Sequence, residues 1–93
     1  MKFIKTFSLR NLDGAADKAL ARFAQTRAEP PKGVTLLGRW YCADMSMGFE
    51  LLESDDVTAL NEFAARWLDV FEMSIVPVVE DAELVEVMGR LRN

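Results

Sequence analysis

An α+β sandwich with strand and helix order β-α-β-β-α-β, followed by one more helix, is the fold class the sequence predicts. Three observations carry that expectation. Val34–Ser54 holds two β-rich runs on either side of a short polar turn, Asp44-Met45-Ser46-Met47, which is a hairpin pattern. Two stretches, one before this hairpin and one after it, carry apolar residues at three- and four-residue spacing, as amphipathic helices do. Alternating runs at Lys2–Leu9 and Val70–Val79 supply two further strands. Two helices laid on one face of a four-stranded antiparallel sheet make a ferredoxin-like fold.

Each element follows from its residues. In Lys2–Leu9, Phe3, Phe7 and Leu9 fall on one face and Ile4, Thr6 and Ser8 on the other. Lys5 shares the apolar face, so it is expected to snorkel or to be turned out by a bulge. Asn11 or Asp13 is expected to cap the next helix, whose stripe is Ala16, Ala19, Leu20, Phe23 and Ala24. Glu29-Pro30-Pro31-Lys32-Gly33 ends that helix and returns the chain to the sheet.

In the hairpin, a two-residue loop at Met45-Ser46 or a four-residue loop at Asp44–Met47 gives one register, with Cys42 opposite Phe49 and Trp40 opposite Leu51. One face then carries Val34, Leu36, Gly38, Trp40, Cys42, Phe49 and Leu51 and is expected to pack on the helices. The other carries Leu37, Arg39, Tyr41, Glu50 and Leu52. Ser54-Asp55-Asp56 is a capping cluster for a second helix with Val57, Leu60, Phe63, Ala64 and Trp67 as its stripe. In the last strand Phe71, Met73 and Ile75 alternate with Glu72, Ser74, Val76 and Val78. Pro77 cannot donate to a ladder, which places this strand at an edge or gives it a bulge. Glu80-Asp81 begins the final helix, striped by Leu84, Val87, Met88 and Leu91.

Helices on one face leave the other bare, and Ile4, Leu37, Leu52, Val76 and Val78 are expected there. An apolar patch of that kind calls for a partner, and a homodimer joined through the helix-free sheet face is the simplest one.

Composition sets further bounds. The 93 residues suit a single ferredoxin-like domain spanning 1–93, and a hydrophobic content of 51% is enough to build its core. A net charge of −4 without a basic stripe argues against nucleic acid and anionic membranes as partners. The run at Lys2–Leu9 is too short and too broken by polar residues for a signal peptide or a membrane span. Cys42 is the one cysteine, so no internal disulfide forms, which fits a cytoplasmic location.

The segments Pro30-Pro31-Lys32-Gly33-Val34, Gly38-Arg39-Trp40, Asp44, Gly48-Phe49, Glu53-Ser54-Asp55-Asp56 and Val76-Pro77-Val78 resemble an uncharacterised bacterial family of domains of unknown function. The likeness covers nearly the whole chain. It implies the dimeric α/β-barrel version of the ferredoxin-like fold and no established activity. The wider superfamily includes cofactor-free monooxygenases and haem-degrading, dehalogenase-like and isomerase-like proteins, but those chemistries belong to particular residues and not to the fold.

The residues here leave little catalytic machinery. The chain has no histidine, which removes Ser-His and Cys-His nucleophiles and histidine metal or haem ligation. No phosphate-binding glycine loop and no carboxylate spacing for a metal is present, so no metal and no cofactor are expected. The mixed face remains. Arg39, Tyr41, Glu50 and Glu72, with Thr6, Ser8 and Ser74 nearby, are expected to line a cavity between the sheet and a partner subunit. There Arg39 would anchor an anion, Tyr41 would donate a hydrogen bond, and Glu50 would act as a base if burial raised its pKa. The alternative is that Arg39, Glu50 and Glu72 are salt-linked groups at a dimer seam or on a solvated rim. Trp40 and Cys42 are expected in the core, Trp67 in the core or at an interface, Asp44 in the turn, and Met45 and Met47 in loop packing, over a cavity mouth or against a partner. Two functions follow: a ligand- or partner-binding module without catalysis, or a cofactor-independent enzyme for a small acidic or aromatic metabolite.

Overall fold

The computed structural model describes residues 1–92. Its elements are β1 (Lys2–Leu9), α1 (Ala15–Thr26), β2 (Val34–Tyr41), β3 (Gly48–Ser54), α2 (Val57–Ala65), β4 (Phe71–Val78) and α3 (Asp81–Leu91). The strands form one sheet in the order β2-β3-β1-β4, with every neighbouring pair antiparallel. This is the ferredoxin-like arrangement that the order of elements predicts. β4 lies at an edge, as Pro77 requires.

The core joins the sheet to the first two helices. Phe3, Val34 and Leu52 from the strands meet Ala19 of α1 and Ala59, Leu60 and Phe63 of α2, with Trp67 and Val70 from the connection to β4. Leu52, Phe63 and Val70 are completely buried. Burial of side chains this size contributes about 1.5–3 kcal/mol each.

On β1 and β4 the helices cover the expected face, with Phe3, Phe7, Met73 and Ile75; on β2 and β3 they cover the other one. Burial places Phe3, Lys5 and Phe7 of β1 and Glu50 and Leu52 of β3 beneath the helices. Leu52 therefore belongs to the core and not to the bare face. The hairpin departs from expectation in two ways, and only the second changes which side chains share a face. Its loop is Ala43–Ser46, closed by the Cys42 N–H on the Met47 carbonyl, so Trp40 faces Phe49 and Gly38 faces Leu51. A bulge between Leu36 and Gly38 then brings Val34 and Leu36 onto the same side as Arg39 and Tyr41. The apolar stretch and the charged stretch of β2 thus share the covered face, which alternation through an unbulged strand forbids.

Trp40 is consequently outside, not in the core. It is 57% exposed and lies against Gly38, where any Cβ would stand 2.4 Å from its ring. The helix-free face carries Trp40, Phe49, Leu51, Ile4 and Val76 in cross-strand register, with Thr6, Ser8, Glu72 and Ser74 towards one end. Cys42 is only half-buried.

Helix ends follow local chemistry. Gly14, at φ 79°, occupies the N-cap of α1 in place of Asn11 or Asp13. α1 presents Ala15, Ala19 and Phe23 inward, while Leu20 remains largely exposed. Asp56 caps α2 by accepting from the Ala59 N–H at 3.1 Å, as its position predicts. α3 opens with a capping box between Glu80 and Glu83 but buries none of its residues. Its apolar stripe, with Leu84, Val87, Met88 and Leu91, faces solvent, so α3 does not cover the helix-free sheet face.

Candidate ligand-binding site

The site is built on a row of three side chains across the sheet. Arg39 of β2 and Lys5 of β1 are both direct cross-strand neighbours of Glu50 on β3. Side chains of directly opposed residues share a face, so the three meet beneath the helices. Arg39 Nε donates to Glu50 Oε2 at 2.5 Å. Lys5 Nζ lies 3.0 Å from Glu50 Oε1. That contact is an ion pair without hydrogen-bond geometry, and Oε1 makes no hydrogen bond. Lys5 and Glu50 are among the most buried residues of the chain, at 4% and 2% exposure.

Lys5 neither snorkels nor sits in a bulge. Its ammonium is 4.1 Å from the centre of the Phe63 ring and 5.5 Å from that of Phe7, within cation–π range. Burial pushes its pKa down; Glu50 opposes that shift and Arg39 adds to it.

Arg39 is fixed from the other side. Its guanidinium donates to the Ala28 carbonyl at 2.7 Å and to the Arg27 carbonyl at 3.3 Å, and stands 5.9 Å from the Phe23 ring centre. Arg27 and Ala28 end α1 in the left-handed region, at φ 57° and 51°. That conformation costs a non-glycine residue roughly 1–2 kcal/mol, and it turns both carbonyls towards Arg39.

Above the row lies a pocket of about 330 Å³ between the sheet and the helices. Six of the chain's nine aromatic residues line it: Phe7, Phe23, Tyr41, Phe63, Trp67 and Phe71. Tyr41, Phe7, Phe71 and Trp67 form a continuous wall, with ring centres 6.1, 5.2 and 5.7 Å apart in turn. Gly48 makes the wall possible, because a Cβ there would lie 2.3 Å from the Phe7 ring. Leu20, 70% exposed, lines the pocket from α1. A smaller hollow of about 180 Å³ shares Phe7, Tyr41 and Phe71 and is lined by Met45 and Met47. Asp44 accepts from the Ser46 N–H at 3.0 Å and so belongs to the turn, as predicted.

Of the residues singled out from sequence, Arg39, Tyr41 and Glu50 line this one pocket, which lies within a subunit and not between the sheet and a partner. Glu72 does not join them. It pairs with Ser8 across β1, on the opposite face, and its side chain is 70% exposed with Arg10 at 4.0 Å. Thr6, Ser8 and Ser74 stay with Glu72. Lys5 is the site residue that the sequence reading left out. A lysine on an apolar strand face is a signal for a buried counter-ion, and Glu50 supplies it.

A family model described as "Domain of unknown function (DUF3303)" matches residues 1–92, and the chain belongs to this family. No curated protein matches the chain. Among solved structures it is similar to SnoaB, a cofactor-independent oxygenase from Streptomyces nogalater, at 16% identity over 85% of this chain and 92% of that one, with a TM-score of 0.39. A likeness of that degree assigns no activity. Among the described residues, no helix is long and apolar enough to cross a membrane.

Proposed function

We propose that this DUF3303 protein binds a small aromatic molecule in the pocket between its sheet and helices, and works as a homodimer of the dimeric α/β-barrel kind. One observation carries the binding reading: an aromatic hollow of about 330 Å³ set over a buried charged row. Apolar walls with a few convergent polar groups are what small-molecule sites share. A chain selected for stability alone would close such a hollow, because interiors pack densely. Tyr41, at one end of the aromatic wall, brings a phenol to the pocket, and Arg39 and Glu50 bring charge.

Self-association is supported by the helix-free face, with Trp40 and Val76 exposed, and by the unpacked stripe of α3. Contiguous apolar surface of this kind marks an interaction site. The free thiol of Cys42 fits a cytoplasmic location, and the acidic balance fits a protein without nucleic-acid partners. A second reading, a cofactor-independent enzyme for a small acidic or aromatic metabolite, is favoured by the titratable pair Lys5 and Glu50 lining the same pocket.

The test uses Trp67, which lines the pocket, against Trp40, which does not. In Trp40→Phe protein, one- and two-ring aromatic probes are expected to quench the remaining tryptophan saturably and to raise Tm. The absence of quenching across benzene, indole and naphthalene derivatives would end the binding reading. Sedimentation of the wild-type protein at micromolar concentration is expected to give a dimer, and a stable monomer would end the dimer reading.

A further inference from the structure

The floor of the pocket holds two cations against one carboxylate. The Arg39 guanidinium offsets the charge of Glu50, which it meets at 2.5 Å. Lys5 is left over. The charged groups that face it are Glu50 from β3 and Arg39 from β2. β4 puts Ile75 opposite it, α2 puts the Phe63 ring over it, and Tyr41 is the remaining titratable side chain of the pocket. Glu50 is the only carboxylate among the described residues that line this space. A protonated Lys5 therefore leaves the floor with one positive charge in excess. A neutral Lys5 leaves it balanced, with a free amine under the aromatic walls. In the first state the pocket lacks a single negative charge; in the second it holds a base that can take a ligand's proton and leave the ligand as the missing anion.

We infer that the pocket takes its aromatic ligand as a monoanion, a phenolate or an aryl carboxylate, and that Lys5 holds the balancing proton. This rests on the aromatic-binding reading and adds the ligand's charge to it. For a phenol the step is a proton transfer. The phenolic O–H bond breaks with its electron pair left on oxygen, and an N–H bond forms on the Lys5 amine. Nothing is oxidised or reduced. For a carboxylate already ionised in water, Lys5 takes the proton from solvent as the anion arrives.

The geometry suits this role. Lys5 stands 3.0 Å from Glu50 Oε1, but Arg39 shares that carboxylate through Oε2, so one negative group does not balance both cations. Burial disfavours the ammonium, and an anion within about 4–6 Å restores it. Arg39, held by the Arg27 and Ala28 carbonyls, adds a second fixed positive group and cannot move away when the ligand leaves.

The experiment titrates the wild-type protein with 4-nitrophenol, whose absorbance reports its ionisation, and with 4-nitroanisole, which has the same ring and no acidic proton. The bound phenol is expected to ionise at least about one pH unit below its value in water, and the ether to bind about tenfold more weakly, the factor one unit represents. Lys5→Met is expected to abolish the ionisation shift and keep ring binding. Equal binding of both probes with unchanged ionisation would overturn the role of Lys5 and leave the aromatic pocket standing; no binding of either would overturn both. Should Lys5→Met not fold, calorimetry of 4-nitrobenzoate with wild-type protein in buffers of different ionisation heat gives the proton count. Uptake approaching one proton per site supports the assignment, and no uptake at either neutral or alkaline pH overturns it.

Discussion

The two faces of the sheet solve opposite problems with the same four strands. Beneath the helices, β1, β2 and β3 bury Lys5, Arg39 and Glu50 in a row, surrounded by aromatic rings. On the far side the same strands turn Ile4, Trp40, Phe49 and Leu51 outward, where no helix among the described residues covers them. A charged row is thus buried within the apolar core while large apolar side chains lie outside, unlike a minimal soluble domain. The inner arrangement is tolerable because each cation meets Glu50; the outer one calls for a second surface. On the proposed reading the faces take separate work: ligand binding beneath the helices, association on the far side.

The strongest way to break this division is to remove the shared counter-ion. Glu50→Gln leaves Arg39 and Lys5 buried together without a carboxylate, and such losses cost about 3–5 kcal/mol. Denaturant unfolding should show that drop. Lys5→Met, by contrast, leaves the Arg39–Glu50 pair intact and keeps the volume, so it should stay within about 1.5 kcal/mol of wild type. Equal losses from both variants would mean that the row is not organised around Glu50.

The outer face is tested by charge placed where the partner should sit. Trp40→Arg is expected to leave the fold intact, since the indole is more than half exposed and lies over Gly38 outside the core. It should weaken self-association by about 2 kcal/mol or more, the range of a central aromatic anchor, read by sedimentation equilibrium. If unfolding changes as much as association, the two faces are not independent.

Much of this was legible beforehand, and the reason for the remainder is specific. Strand and helix order, the edge position of β4, the Asp56 cap and the common face of Arg39, Tyr41 and Glu50 all follow from local spacing. That grouping survived a wrong register because the error was an even step, which keeps every side chain on its face. The choice of covered face was not local. It depends on the bulge at Leu36/Gly38 and on Lys5 meeting Glu50 across β1 and β3, a pairing between residues forty-five positions apart. Read singly, Lys5 and Glu50 look like surface residues; read together, they are a buried pair. Trp40 went to the wrong side for the same reason, since a large ring alternating with Leu36 looks like core until the bulge intervenes.

A smaller change sharpens the account of the covered face without touching the pocket. Arg27 holds a left-handed conformation at the end of α1 while its carbonyl accepts from Arg39. Arg27→Gly removes the backbone cost and keeps the carbonyl, so it should stabilise the protein by about 1 kcal/mol. A gain in denaturation midpoint with unchanged probe binding is expected. A loss would mean that the exposed Arg27 side chain makes a contribution of its own.

The least of these effects concerns the flank of the pocket. Arg22 of α1 makes two parallel hydrogen bonds to Asp69 at 2.8 Å each and stands 5.3 Å from the Trp67 ring, tying α1 to the turn that leads into β4. Hydrogen bonds from Arg22 hold the Asp69 pKa down, from 3.8 to about 2. Between those values the unfolded chain binds more protons than the folded one, so stability rises with pH across the window and is lost as pH falls through it. Exposed pairs are worth little and are screened by salt, so the contribution is small. Asp69→Asn should flatten that part of the acid profile and lose its salt dependence, while the association state read by sedimentation stays that of wild type. Weaker self-association in Asp69→Asn would couple the faces, because Asp69 lies on the helix side and the contact under test does not.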